Sequence, residues 1–199
     1  MTSVSFKPSQ DPLALFSSFF DQAKSSQIPF YDAIALATAS VDAKPSVRMV
    51  LYKGLYEGKF LFFTHYESRK GKELSENPWA SAVFFWHEIE CQIRIEGRVQ
   101  KSPASLSDTY WKTRPRKSQI SGTASKQSQV LSERGLLLRE VERLTKSYEG
   151  KEIPRPENWG GFELTPDSIE FWIGKPNRLH ERYLYVRNAK GWKFAELSP

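Results

Sequence analysis

The chain has 199 residues, 39% hydrophobic and 14% aromatic, which fits one globular domain over residues 1–199 and excludes a disordered chain. No apolar run approaches the roughly 18 residues of a membrane helix, and a single cysteine, Cys91, excludes an internal disulfide and fits a reducing compartment. The net charge of +6 invites anionic partners, whether nucleic acid, lipid or small phosphorylated molecules. The basic residues are interleaved with Asp and Glu, however, which argues against a nucleic-acid stripe.

The first twelve residues, MTSVSFKPSQDP, lack the charged and then apolar pattern of a secretory leader, so a cytoplasmic protein is expected. Residues 1–10 read as a flexible arm. Asp11-Pro12 then opens a helix, because Asp caps and Pro suits the first turn. Leu13, Phe16, Phe20 and Ala23 follow at helical spacing. From Ala33 the texture becomes strand-like, with AIALATASV, SVRMVLYKGLY, KFLFFTHY, WASAVFFWHE and CQIRIEGRVQ separated by turn signals. SRKGKELSEN, between the third and fourth runs, predicts a short helix capped by Ser68. SQVLSERGLLLREVERLTKSYEG predicts a second helical block with Val130, Leu137, Val141 and Leu144 on one side. KEIPRPENWGG reads as a loop, and FEL, IEFWIG, ERYLYVRN and WKFAEL as closing strands. The expected architecture is mainly β with helical additions, an antiparallel barrel.

Several chemistries find no motif. There is no GxxxxGK[ST], since Gly71-Lys72 is followed by Glu73, and no GxGxxG. His87 and Cys91 stand four apart in a strand-like stretch, too few ligands for zinc, so no metal is expected. No nucleophile elbow is present.

Four clusters combine cations with hydroxyls or an imidazole. RMVLYK carries Arg48 and Lys53, nominally on opposite strand faces. FFTHYESRK ends a strand and starts a helix with Thr64, Ser68, Arg69 and Lys70, a good phosphate cradle. YWKTRPRKSQ offers Tyr110, Arg114 and Ser118 at four-residue spacing, broken by Pro115. RLHER places Arg178, His180 and Arg182 on one face if it is a strand. Each cluster reads either as a solvated surface or as part of an anion site.

IEFWIGKPNRLHER closely resembles the C-terminal signature of the pyridoxamine 5′-phosphate oxidases. RMVLYK, FFTHYESRK, YWKTRPRKSQIS, SKQS and NWGGFEL occur in that family's order and spacing, so the resemblance runs from about Asp11 to Pro199. It implies an FMN-binding split β-barrel homodimer, with residues 158–199 forming a dimerisation and active-site region. The reaction implied oxidises pyridoxine or pyridoxamine 5′-phosphate to pyridoxal 5′-phosphate, with oxygen as acceptor and hydrogen peroxide as product. FMN would be held by Arg48, Met49, Val50, Leu51, Tyr52, Lys53, Phe63, Thr64, Arg69, Lys70, Gln92, Gln127, Ser128, Trp172 and Arg182. The substrate would meet Lys53, Tyr110, Arg114 and Ser118, with Arg178 and His180 as the catalytic pair against the flavin.

The chain departs from the usual pattern at Phe63, where tyrosine is frequent, at His65, where asparagine is, and at Cys91, where arginine is common. Many members carry a longer N-terminal arm with Arg and Tyr. Here ten residues precede Asp11, and the first arginine is Arg48. The competing expectations are a related split-barrel oxidoreductase acting on another small molecule, and a non-catalytic flavin or pyridoxal phosphate carrier.

Overall fold

The computed structural model describes residues 11–199, so the predicted arm at 1–10 lies outside the described residues. Eight strands and five helices follow in the order α1 (Pro12–Ser25), β1 (Ala33–Ala39), β2 (Pro45–Tyr56), β3 (Lys59–His65), α2 (Arg69–Glu76), β4 (Trp79–Trp86), β5 (Cys91–Lys101), α3 (Ala104–Thr113), α4 (Arg116–Ala124), α5 (Arg134–Ser147), β6 (Trp159–Ile173), β7 (Glu181–Asn188) and β8 (Gly191–Leu197). The sheet order is β3-β2-β1-β4-β5-β6-β7-β8, and an additional β3–β6 pairing closes six strands into a barrel. All pairings are antiparallel.

Helix α1 packs across the barrel core. The Asp11 carboxylate accepts from the Leu13 and Ala14 amides, satisfying two of the donors that a helix start leaves open. Phe16 meets Tyr52, Phe60 and Phe84 at centroid distances of 5.5, 4.8 and 5.1 Å. Phe19 contacts Phe171, and Phe20 contacts Tyr31 and Trp86. Each such ring contributes roughly 1.5–3 kcal/mol by burial. A second, smaller cluster of Trp111, Ile120, Leu144, Ile153 and Trp159 joins α3, α4 and α5 to the start of β6.

Three expectations are corrected. The helical block begins at Arg134, not Ser128. Ser128 has φ 70°, a left-handed conformation that a right-handed helix cannot include, and Val130 is 99% exposed, so this stretch buries no apolar face. FEL and IEFWIG belong to one 15-residue strand that begins inside NWGG. Thr165-Pro166-Asp167, between the two predicted runs, lies inside this strand, and a register shift at Glu96/Gly97 accommodates it. Gly97 is required there, because a Cβ would lie 2.0 Å from the Thr165 carbonyl oxygen; proline is tolerated in a sheet at such bulges. Finally, RLHER is not a strand. Pro176–Arg178 forms a 3₁₀ turn with Asn177 and Arg178 at φ 59° and 62°, and β7 starts at Glu181. Of the three residues only Arg182 sits on a strand, so they do not share one face.

Candidate active site

The strand β3 runs into α2 through a tight turn. Ser68 Oγ accepts from the Gly71 amide and donates to the His65 carbonyl, at 3.3 and 2.6 Å. Gly71 lets α2 approach this turn: a Cβ there would lie 2.1 Å from the Tyr66 carbonyl oxygen. The turn directs Lys70 inward. Its ammonium is buried and donates to Thr64 Oγ1 at 2.9 Å, Gln127 Oε1 at 3.2 Å and Ser68 Oγ at 3.4 Å. No carboxylate is paired with it among the described residues. Burial pushes it down to about 8, and the nearby Arg48 guanidinium acts in the same direction.

Across the cavity, Pro115 breaks α3 from α4, leaving Arg114 extended at ψ 142°. The break re-aims the four-residue spacing, and Tyr110, Arg114 and Ser118 all line one cavity of about 510 Å³ with Lys53, Phe63, Thr64 and Lys70. The Arg114 guanidinium lies 4.7 Å from the Trp159 ring centroid and 5.1 Å from that of Trp111. Its Nη2 donates to the Ser118 carbonyl at 3.2 Å, while Nη1 is buried with no partner among the described residues. Burial lowers its proton affinity and Tyr110 opposes this. Phe63 stacks on Tyr110 at 4.1 Å, and Trp159 continues the stack at 5.6 Å from Phe63, so the tyrosine is held by rings on the β3–β6 wall.

The other predicted residues are placed differently. Met49, Val50, Leu51 and Gln127 line the cavity, whereas the Tyr52 side chain belongs to the aromatic core, leaving only its main chain to serve a ligand. Lys53 pairs with Asp32 at 2.8 Å. Arg48 pairs with Glu73 at 3.2 Å and donates to the Leu36 carbonyl at 3.1 Å, to Thr38 Oγ1 and to Ser46 Oγ. Arg69 is mostly exposed and also pairs with Glu73, at 2.8 Å. Ser128 is exposed. Gln92, Trp172 and Arg182 are absent from this cavity's wall and instead form one cross-strand row over β5, β6 and β7. Arg182 is held there by Glu170 at 2.9 Å. His180 packs its ring 4.6 Å from Trp172, and its Nδ1 accepts from the Lys175 amide at 3.2 Å. With Nδ1 engaged in that bond, Nε2 is the ring nitrogen left for a ligand. Arg178 is exposed beside them. Within one chain the predicted residues therefore fall into two groups, the cavity and the β5–β7 row.

Residues not assigned to the site from sequence also line the cavity: His65, noted only as a departure from the family pattern, and Lys117, Ser121, Gly122, Ser125 and Trp159. The spacing of Ser118, Ser121, Gly122 and Ser125 is that of one helix face, a signal that was present in the sequence. Asp32 and the Arg48 contact of Glu73 gave no such signal, because each pair joins residues distant in sequence; only the Arg69–Glu73 pair is local.

Glu73 fastens α2 to β1 and β2. Burial raises its carboxyl, but bonds from Ser46, Thr38, Arg69 and Arg48 outweigh this and bring it down to about 2. A depressed carboxyl stabilises the fold above the unfolded value of about 4.3, and that contribution disappears as pH falls through the folded value. Glu73→Gln is therefore expected to lower the melting temperature at pH 7. The gap to wild type should close progressively between about pH 5 and pH 2, as read by thermal melts. A gap independent of pH would contradict this account.

The same architecture recurs in solved structures. PhzG from Burkholderia lata, in complex with tetrahydrophenazine-1-carboxylic acid, matches with a TM-score of 0.93 at 32% identity over 100% of both chains. A pyridoxamine 5′-phosphate oxidase-related, FMN binding protein from Nostoc punctiforme matches with a TM-score of 0.74 at 18% identity, over 96% of this chain and 100% of that one. The fold is that of the FMN-binding split β-barrels. Residues 22–148 match the family described as pyridoxamine 5′-phosphate oxidase, and residues 159–199 the pyridoxine 5′-phosphate oxidase C-terminal dimerisation region. Pyridoxine/pyridoxamine 5′-phosphate oxidases of Bacteroides thetaiotaomicron and Leptospira biflexa are 46% and 47% identical over 95% of this chain and 89% of their own. The chain belongs to the pyridoxine/pyridoxamine 5′-phosphate oxidase family and is an oxidoreductase. No helix among the described residues is long and apolar enough to cross a membrane.

Proposed function

We propose that this protein binds FMN and oxidises pyridoxine and pyridoxamine 5′-phosphate to pyridoxal 5′-phosphate, with oxygen as the electron acceptor and hydrogen peroxide as product. The observation that carries the reading is one cavity lined by two cations, the buried Lys70 and the half-buried Arg114, neither paired with a carboxylate among the described residues, the second with a buried, unpartnered Nη1. A buried unpaired cation is costly unless a ligand neutralises it. Two of them suit two phosphate monoesters, one on the cofactor and one on the substrate.

The residues present fit FMN. Lys70, Thr64 and Gln127 form a bonded donor set at the N-terminus of α2, and the β2 main chain at Met49–Leu51 edges the cavity. When bound, FMN would supply the two-electron redox chemistry. Tyr110, Arg114 and Ser118 would hold the substrate phosphate, and the stacked rings of Phe63, Tyr110 and Trp159 would keep that end rigid. Arg178 would orient the reacting carbon and its exocyclic oxygen or nitrogen. His180, its Nδ1 engaged by the Lys175 amide, would hydrogen-bond the same group through Nε2.

The β5–β7 row reaches the cavity if two copies associate. Val47 and Met49 on β2 and Phe85 on β4 are 67%, 63% and 58% exposed on the outer wall, and register places Phe85 beside Gln92. An apolar stripe continuous with the row is a surface that a twofold partner would cover. We therefore assign Gln92, Trp172, Arg178, His180 and Arg182 of each copy to the site of the other.

The purified protein is expected to be yellow, with FMN recovered by mass spectrometry, and its flavin absorbance should bleach when pyridoxine 5′-phosphate is added anaerobically. Recovery of no flavin, or of FAD, would reject the cofactor assignment. The likeness to PhzG supports a second reading, oxidation of another small acid that places its carboxylate on Arg114. FMN binding without turnover of either phosphorylated vitamer would favour it.

A further inference from the structure

His65 is 6% exposed and lines the cavity that contains Lys70 and Arg114. Its ring makes no hydrogen bond to any described residue, which leaves its nitrogens for a group in the cavity it lines. Three charges act on it, Arg114 from the α3–α4 junction, Lys70 from α2 and Glu67 from the β3–α2 turn, while β6 pairs with it through the uncharged Trp159. Tyr110 and Lys117 share the same lining. Burial first, then Arg114 and Lys70, hold its proton affinity below the ordinary histidine value, and Glu67 only partly opposes them. A positive charge on the imidazole is therefore disfavoured by the two cations beside it.

We propose that His65 reads the ligand's charge: as a phosphate monoester dianion enters the cavity between Lys70 and Arg114, His65 takes up a proton and becomes a further donor to it. The dianion cancels the two cations that disfavour imidazolium, and its oxygens satisfy the unpaired ring. Binding and protonation are linked, so the grip strengthens as pH falls through the ligand-bound value of the imidazole. This rests on the proposed function only for the identity of the dianion.

The test is a ring-nitrogen NMR titration. The chain has three histidines, and His65→Asn, neutral and still able to hydrogen-bond, identifies the resonance. Midpoints are measured for the apoprotein, for the FMN-loaded protein, and for the FMN-loaded protein with pyridoxal 5′-phosphate, a ligand that is not turned over. The His65 midpoint is expected to rise by at least about one pH unit in a phosphate-bound state, equivalent to about tenfold in affinity across the transition. Unphosphorylated pyridoxal should leave it in place. A rise on FMN loading assigns the flavin phosphate as the source, and a rise only with pyridoxal 5′-phosphate assigns the substrate phosphate. In parallel, the affinity of His65→Asn should lose the pH dependence contributed by the imidazole and keep that of the ligand's second ionisation near pH 6 and of Lys70, which burial brings down to about 8. Ligand bound, as seen by flavin absorbance, with the midpoint unmoved would overturn the inference while sparing the proposed function. Failure of both phosphate ligands to bind would overturn both.

Discussion

Arg114→Ala is expected to lower kcat/KM for pyridoxine 5′-phosphate by about a hundredfold or more, mainly through KM, while flavin remains bound. Hydrogen bonds to charged groups are worth roughly 1.5–3 kcal/mol each, and the guanidinium has one buried N–H without a partner among the described residues. Losing that donor and the charge behind it removes two such contributions. Because the phosphate does not react, the lost binding is shared by ground and transition states, which raises KM more than it lowers kcat. Arg114 also packs on Trp111 and Trp159, so Arg114→Met, which keeps an apolar stem against the rings, separates lost packing from lost charge. Both variants should narrow the preference for pyridoxine 5′-phosphate over pyridoxine, since the unphosphorylated vitamer never used the guanidinium. An unchanged preference, with normal circular dichroism, would remove Arg114 from the substrate site. Arg114→Lys should restore little, because an ammonium cannot reproduce the planar fork wedged over two indoles.

The second large effect is a rescue. Arg178→Ala and Arg114→Ala are each expected to be nearly inactive at substrate concentrations below the wild-type KM. If the cavity of one copy is completed by the 3₁₀ turn of the other, a mixed dimer has one site carrying both substitutions and one carrying neither. Unfolding and refolding equal amounts together should therefore return about one quarter of wild-type activity, since about half the dimers are mixed and half their sites are intact. If Arg178 instead served the cavity of its own chain, every site in every mixture would stay defective and no activity would return. Arg182→Ala is the companion variant. Its guanidinium is held by Glu170 and by the Ser198 carbonyl, so its loss leaves a buried carboxylate with one fewer partner. It should lose flavin and be rescued in part by added FMN, whereas Arg178→Ala should not.

Local chemistry made much of the fold legible. Asp11-Pro12 and Ser68 start helices as written, because a side-chain cap satisfies amides only two or three residues away. The strands from β1 to β5 follow from strand-like runs bounded by turn residues, signals contained in short windows of sequence. The cavity residues Thr64, Lys70, Tyr110, Arg114 and Ser118 could be named from motifs because each motif lies within one turn or one helix break. Where the sequence misled, the deciding partner was remote. Thr165-Pro166 continues a strand because Gly97, nearly seventy positions earlier, supplies a bulge opposite it. Arg178 leaves the strand face because its backbone adopts φ 62°, which no alternation pattern can indicate.

By itself, then, the sequence determined the kind of protein: a β-rich chain with cations placed for phosphate, and motifs ordered as in one oxidase family. Only the tertiary structure decided which cations are available. Arg48, Lys53 and Arg182 look equivalent to Lys70 and Arg114 as letters, yet the first three are paired with Glu73, Asp32 and Glu170 and the last two with no carboxylate among the described residues. The physical reason is that a charge's availability is set by what else is buried beside it. Barrel closure through β3 and β6, a contact spanning about a hundred residues of chain, brings Trp159 against Phe63, Tyr110 and Arg114, and His65 into the same lining. No local window of sequence contains that juxtaposition.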